Sequence, residues 1–269
     1  MLRATILTIS MLCAASVARA QTDVSRLVEV IRLGEVAAIL HDEGLRYAQS
    51  LDDALMGGQA GTQFHLEAAR IYDTARITDR IADALSEGMT EEEVEETTVF
   101  FATELGQSIL SLENSARRAI SDPALEELAR AYYEDLPRDD ARLVQVEQYI
   151  AVNDLIDRNV EGTLSADYHF YLGMAEAGDG VRDDGSLLAQ LLEGRAETEA
   201  ETSTWLHSFL LLAYQPLAAE EMAENIAFSQ SDSGKALNAA LFDGFDRLYD
   251  EISYDLGAAM AQAMSATDL

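Results

Sequence analysis

Cysteine, proline and lysine are almost missing from this chain, and each absence excludes something. The 269 residues hold one cysteine, Cys13, which falls inside a leader-like segment at Met1–Ala20. Arg3 supplies a positive start, Ala4 to Val17 carry no charge, and Ala18-Arg19-Ala20 has the small–x–small pattern of a cleavage site. The expected mature chain begins at Gln21 and has no thiol. A disulfide framework, a cysteine nucleophile and a cysteine-ligated metal are then excluded. Leu12 stands before Cys13 where a lipoprotein signal needs a small residue, so lipid attachment is not expected. The three prolines, Pro123, Pro137 and Pro216, each stand where a helix should start or stop. Lys235 is the one lysine, which reads as codon bias of a GC-rich genome. No later apolar run approaches the roughly 20 residues that a membrane helix needs, so no membrane insertion is expected. The destination is periplasmic or secreted.

Basic charge is also scarce. Eighteen Lys and Arg face 49 Asp and Glu, a formal net charge of −31. Such a surface repels phosphate backbones and anionic lipid, which argues against nucleic acid and peripheral membrane partners. In a salty medium the self-repulsion is screened over about 8 Å or less, so solubility explains the excess of acid. Binding of divalent cations by the acidic surface is a lesser alternative. Hydrophobic residues make up 48% of the chain, enough for a folded body and too many for an acidic disordered tail.

Ala, Leu and Glu dominate, and no alternating β-branched run is long enough for a strand. The fold class is all-α, a helical bundle made of two similar multi-helix halves. Helix punctuation is legible at several points. Gly34 is expected to break or bend the first mature helix, and 56–62 to form a loop. Asp73 caps the next helix but one, and Thr90 with Glu93 forms a capping box behind three acids on a first turn. Asp122-Pro123 opens another helix. Pro137 and its charged neighbours mark the boundary between halves, 21–137 and 138–269. In the second half, helices are expected near 141–161, 163–177, 186–193, 196–214, 218–230 and 232–264, with a glycine-rich acidic loop at 178–185.

A repeat joins the halves. At an offset of 128, Glu92-Glu93 falls on Glu220-Glu221, Val94 on Met222, Phe100 on Phe228, Thr103 on Ser231, Gly106 on Gly234 and Ile109 on Leu237. Near the starts of the halves, Ile31, Leu33, Glu35 and Val36 meet Ile150, Val152, Asp154 and Leu155 at an offset of 119. The shared piece is an αα-corner: a Phe, then a capping hydroxyl, then a glycine in the first turn of the next helix. The hydroxyl satisfies open amides, and the glycine allows a close approach. This pattern resembles the helical bacterial family called domain of unknown function 2059. The second copy, IAFSQSDSGKALNAALF, is the closer resemblance, although neither corner has the proline that often follows the family's hydroxyl. The resemblance implies an exported, all-helical protein with no established activity and no functional residues to carry over.

No catalytic, cofactor or metal residues emerge from the sequence. His41, His65, His169 and His207 form no zinc-ligand spacing. Gly57-Gly58-Gln59-Ala60-Gly61 has neither a preceding strand nor a following Lys, so it is a linker. Asp179, Asp183 and Asp184 miss the calcium-loop spacing. The aromatic set of Tyr168, Phe170, Tyr171, Trp205, Phe209 and Tyr214 reads as core. The first functional reading is a non-enzymatic interaction or scaffold module of the envelope, with an unidentified protein or peptide partner. Its rival is a small-ligand carrier or enzyme with a site between the halves. A closed pocket with converging polar groups would favour the rival, and a surface apolar patch the module.

Overall fold

A computed structural model describes residues 24–177 and 184–267. Within them the regular structure is helical. After a helical stretch over 24–30 the helices are α1 (Leu33–Met56), α2 (Gly61–Ile71), α3 (Thr74–Gly88), α4 (Glu91–Phe101), α5 (Glu104–Ile120) and α6 (Pro123–Asp135). Then follow α7 (Ala141–Val152), α8 (Leu155–Ala177), α9 (Asp184–Glu193), α10 (Arg195–Tyr214), α11 (Ala219–Gln230) and α12 (Asp232–Thr267). The leader Met1–Ala20 and most of the acidic loop, 178–183 with Asp179 and Asp183, lie outside the described residues.

Most helix starts obey local chemistry. Asp73 Oδ1 accepts from Arg76 N, Asp122 Oδ1 from Ala124 N ahead of Pro123, and Asp140 Oδ1 from Arg142 N and Leu143 N. Two expected boundaries differ. The first break falls at Arg32, in the left-handed conformation at φ 55°, and Gly34 continues inside α1. Tertiary bonds hold that turn: Arg32 Nε donates to Gln107 Oε1 at 2.9 Å, and Gln107 Nε2 to Val30 O at 2.9 Å. The other break falls at Asn153-Asp154, with Asp154 at φ 53°, so Gly162 lies within α8. Here Asn153 Nδ2 donates to Tyr149 O, and Asn238 Nδ2 to Asn153 O at 3.1 Å. The two left-handed turns, Arg32 and Asp154, are 122 residues apart. Matching by residue type placed this correspondence at 119. The slip is close to one helical turn, because an apolar stripe of period 3.6 nearly matches itself after such a shift.

The cores do not divide at Pro137. One cluster joins Leu27, Leu33, Ile77, Ile81, Leu85 and Phe101 from the first half to Leu248, Ile252, Leu256 and Met260 of α12. The other joins Ile109 and Ala116 of α5 to Leu143, Val146, Leu210, Leu211, Tyr214 and Met222 of the second half. Each half therefore sends the helix after its corner into the core of the other: α12 packs on α3, and α5 on α10. Burying one such Leu or Ile side chain stabilises by about 1.5–3 kcal/mol, so neither half keeps its full core alone. α12 also runs closely along α8. A Cβ on Gly173 would lie 2.0 Å from Tyr254 O, and one on Gly257 would lie 2.1 Å from Phe170 O. Glycine at both points lets the backbones meet.

Candidate functional site between the crossed halves

The two corners are built alike. Thr103 has extended backbone; its hydroxyl donates to Phe100 O at 2.7 Å and accepts from Gly106 N at 3.0 Å. Ser231 does the same with Phe228 O at 2.6 Å and Gly234 N at 3.0 Å. A Cβ on Gly106 would fall 2.5 Å from Phe100 O, and one on Gly234 would fall 2.0 Å from Phe228 O. The helices on either side of each glycine thus touch backbone to backbone. Phe100 and Phe228 stack on each other with centroids 4.0 Å apart and planes 3° apart, and Phe101 meets both edge-on. The two copies of the motif, separated by 128 residues, stand against each other at the centre of the molecule.

Upstream of the corners the match is incomplete. Thr90 N donates to Glu93 Oε2 at 2.7 Å, and Glu93 N to Thr90 Oγ1 at 3.3 Å, a full capping box. The bonds from Thr90 hold the Glu93 carboxyl below its ordinary range. In the second half Ala218 N donates to Glu221 Oε2 at 2.7 Å, but alanine has no side-chain acceptor, so only half of the box exists there.

Beside the stacked rings lies a cavity of about 200 Å³. Matched positions face it from both halves: Phe101 and Ser229, Ile109 and Leu237, Leu110 and Asn238, Glu113 and Leu241. Ile31, Leu33, Val36 and Phe245 complete an apolar wall; Tyr149, Asn153 and Asn225 add polar groups. No lining residue is basic.

Glu113 is the acid of this cavity. Its Oε1 accepts from the Tyr214 hydroxyl at 2.5 Å. Burial raises its pKa above the ordinary 4.5, and the bond from Tyr214 opposes that rise. Tyr214 is fully buried, and its ring meets that of Tyr149 edge-on with centroids 5.5 Å apart. Burial, then the neighbouring Glu113 carboxyl, push both phenols well above their usual range, so they stay protonated. Asn225 is 3% exposed, and its Nδ2 has no hydrogen-bond partner. A buried polar group left in that state costs about 1–3 kcal/mol. The constellation contains hydrogen-bond donors, one carboxyl and an apolar wall, and no activated nucleophile.

Other features singled out in the sequence stand apart. His65 Nε2 lies 3.0 Å from Oδ2 of the buried Asp52, whose Oδ1 takes Ala60 N, so this pair braces the glycine-rich turn at 57–60. His207 stacks on Tyr133 and bonds Ser203 O. Trp205 stacks on Phe209 at the edge of the second core. Among the described residues, no group of three or more acids and histidines is arranged to hold a metal ion, and no helix is long and apolar enough to cross a membrane. An open cleft of about 940 Å³ between α8, α9 and α10 contains Asp167, whose pKa burial raises. An apolar groove between α6 and α10 is lined by Leu125, Leu128, Tyr132 and Leu212.

Residues 75–134 match the model of a family described as an uncharacterised protein conserved in bacteria, domain of unknown function 2059. Over that segment the chain is similar to this family. No curated protein and no solved structure matches the chain. The matched segment runs from the start of α3 almost to the end of α6. It holds the first corner, with Thr90, Glu93, Phe100, Thr103 and Gly106, whereas the sequence placed the closer resemblance in the second. It also contributes Glu113. Tyr149, Tyr214 and Asn225 lie outside it.

Glu113, Tyr149 and Asn225 were not identified from the sequence, and Tyr214 was read only as core. One signal was available: Glu113 lies four residues after Ile109 and three before Ala116, on the buried stripe of α5.

Proposed function

We propose that the protein is an exported binding protein, built from two diverged copies of one helical unit, that holds a small amphipathic molecule in the cavity where the copies cross. The observation that carries this reading is the buried, unpartnered Asn225 Nδ2 in the same cavity as the half-buried Glu113 carboxyl. A few polar groups set among apolar side chains suit a small ligand that is itself part polar and part apolar. Export rests on the leader at Met1–Ala20, and the processed protein should begin at Gln21 on N-terminal sequencing.

A thermal-shift screen of the processed protein against small amphipathic compounds, read beside native mass spectrometry, tests the binding. A ligand at one hundred times its Kd adds about 2.7 kcal/mol, or roughly 5–10 °C in Tm at this size. Asn225→Leu should abolish the shift while circular dichroism stays helical. If no compound shifts Tm and the chain flies bare, the cavity is not a binding site.

A second reading, a docking module for a protein or peptide, is favoured by the groove between α6 and α10, where Leu128 is 66% exposed and Tyr132 49%. Leu128→Asp would weaken such docking and leave binding in the cavity unchanged.

A further inference from the structure

The chemistry of the cavity narrows the ligand class. Glu113 is the one carboxyl in the lining, and no Arg, Lys or His accompanies it. Tyr214 engages Oε1, and among the described residues no hydrogen bond to Oε2 is found. A carboxylate surrounded by protein is stabilised chiefly by a cation with hydrogen bonds to give. Leu110, Leu237 and Leu241 give the lining an apolar part, which an apolar ligand body can cover. An anion meets both Glu113 and a chain of net charge −31. Asn225 Nδ2 lacks an acceptor, and an oxygen close to the cationic nitrogen would supply one.

Resting on the binding reading above, we infer that the cavity takes a small organic amine. Its ammonium lies on Glu113, a neighbouring hydroxyl or carbonyl oxygen faces Asn225, and its apolar body lies along Leu237 and Leu241. No existing bond of Glu113 need break, because the ammonium takes the free oxygen. The Tyr214 hydroxyl, and behind it Tyr149, keep the carboxylate oriented as it accepts the cation.

The test uses the full processed chain and three compounds on one carbon skeleton: phenylalaninol as the amine, 3-phenylpropan-1-ol as its neutral analogue and 3-phenylpropanoate as the anion. Affinities are measured by calorimetry at high ionic strength, where surface attraction of cations is screened. Phenylalaninol should bind at least about tenfold tighter than the alcohol, a gap of about 1.4 kcal/mol, and the anion weakest of all. Glu113→Gln keeps the size and the Tyr214 hydrogen bond. It should bring amine and alcohol to similar affinities. If amine and alcohol bind equally to the unaltered protein, the amine inference fails and the binding reading survives. A preference for the amine that persists in Glu113→Gln removes Glu113 as its cause and overturns the assignment. If none of the three binds at millimolar concentration, both readings fail together.

Discussion

The two crossed cores share a corner and differ in what they present to the space between them. At most matched positions around the cavity, one half is polar where the other is apolar. Phe101 corresponds to Ser229, Leu110 to Asn238 and Leu241 to Glu113, whereas Ile109 and Leu237 are apolar in both. The hydroxyl, the glycine and the stacked Phe, by contrast, are kept on both sides. Backbone geometry requires the second set, since each corner fails without a cap and without room for close contact. The cavity wall carries no such requirement. The result is a cavity with polar and apolar residues contributed by both segments.

The largest effect expected from breaking this comparison is at the glycines. Gly106→Ala and Gly234→Ala each force a Cβ against backbone, and each should cost about 1–3 kcal/mol after the helix-favouring gain of alanine. Gly234→Ala should be the worse, since its Cβ would lie 2.0 Å from a carbonyl oxygen against 2.5 Å at Gly106. Urea titration of both variants checks this, and a large loss at one corner with none at the other would mean that the corners are not mechanically equivalent.

The wall predicts a difference in pH dependence. Burial raises the folded-state pKa of Glu113 above its unfolded value near 4.5, so the folded form holds its proton more tightly than the unfolded form. Its contribution is therefore favourable at low pH and is lost as pH rises from the unfolded value through the folded one. Leu241, its counterpart, has nothing to titrate. Glu113→Gln should therefore gain stability relative to the parent as pH climbs from 4.5 to 8, read by denaturant titration across that range. Parallel profiles would show that the carboxyl is not desolvated.

The smallest effects are at the caps. Thr103→Ala and Ser231→Ala should each cost about 1 kcal/mol. Ala218→Thr, which restores the missing half of the capping box that Thr90 completes in the first half, should stabilise by up to about 1 kcal/mol. A loss of stability in Ala218→Thr would show that the helix start at 218 does not follow the geometry at 90.

Much of this was legible without coordinates, and the reason is locality. The capping box at Thr90 and Glu93, the Asp73 and Asp122 caps and the two hydroxyl-x-x-glycine corners are each set by residues within one turn, so sequence spacing determines their geometry. The breaks at Arg32 and Asp154 were misplaced because their support comes from Gln107 and Asn238, far away in the chain. Glu113 was hidden among 49 acids, although its position on the apolar stripe of α5 was visible.

Composition and periodicity alone determined that the described chain is helical, that Cys13 is the sole cysteine and that a corner pattern recurs after 128 residues. Only the tertiary structure decided that α5 and α12 change places between the cores, and that the exchange brings Glu113, Asn225 and Tyr149 around one cavity. Helix periodicity states which face is apolar. It does not state which of two similar faces will cover it, and that is set by packing between segments far apart in the chain.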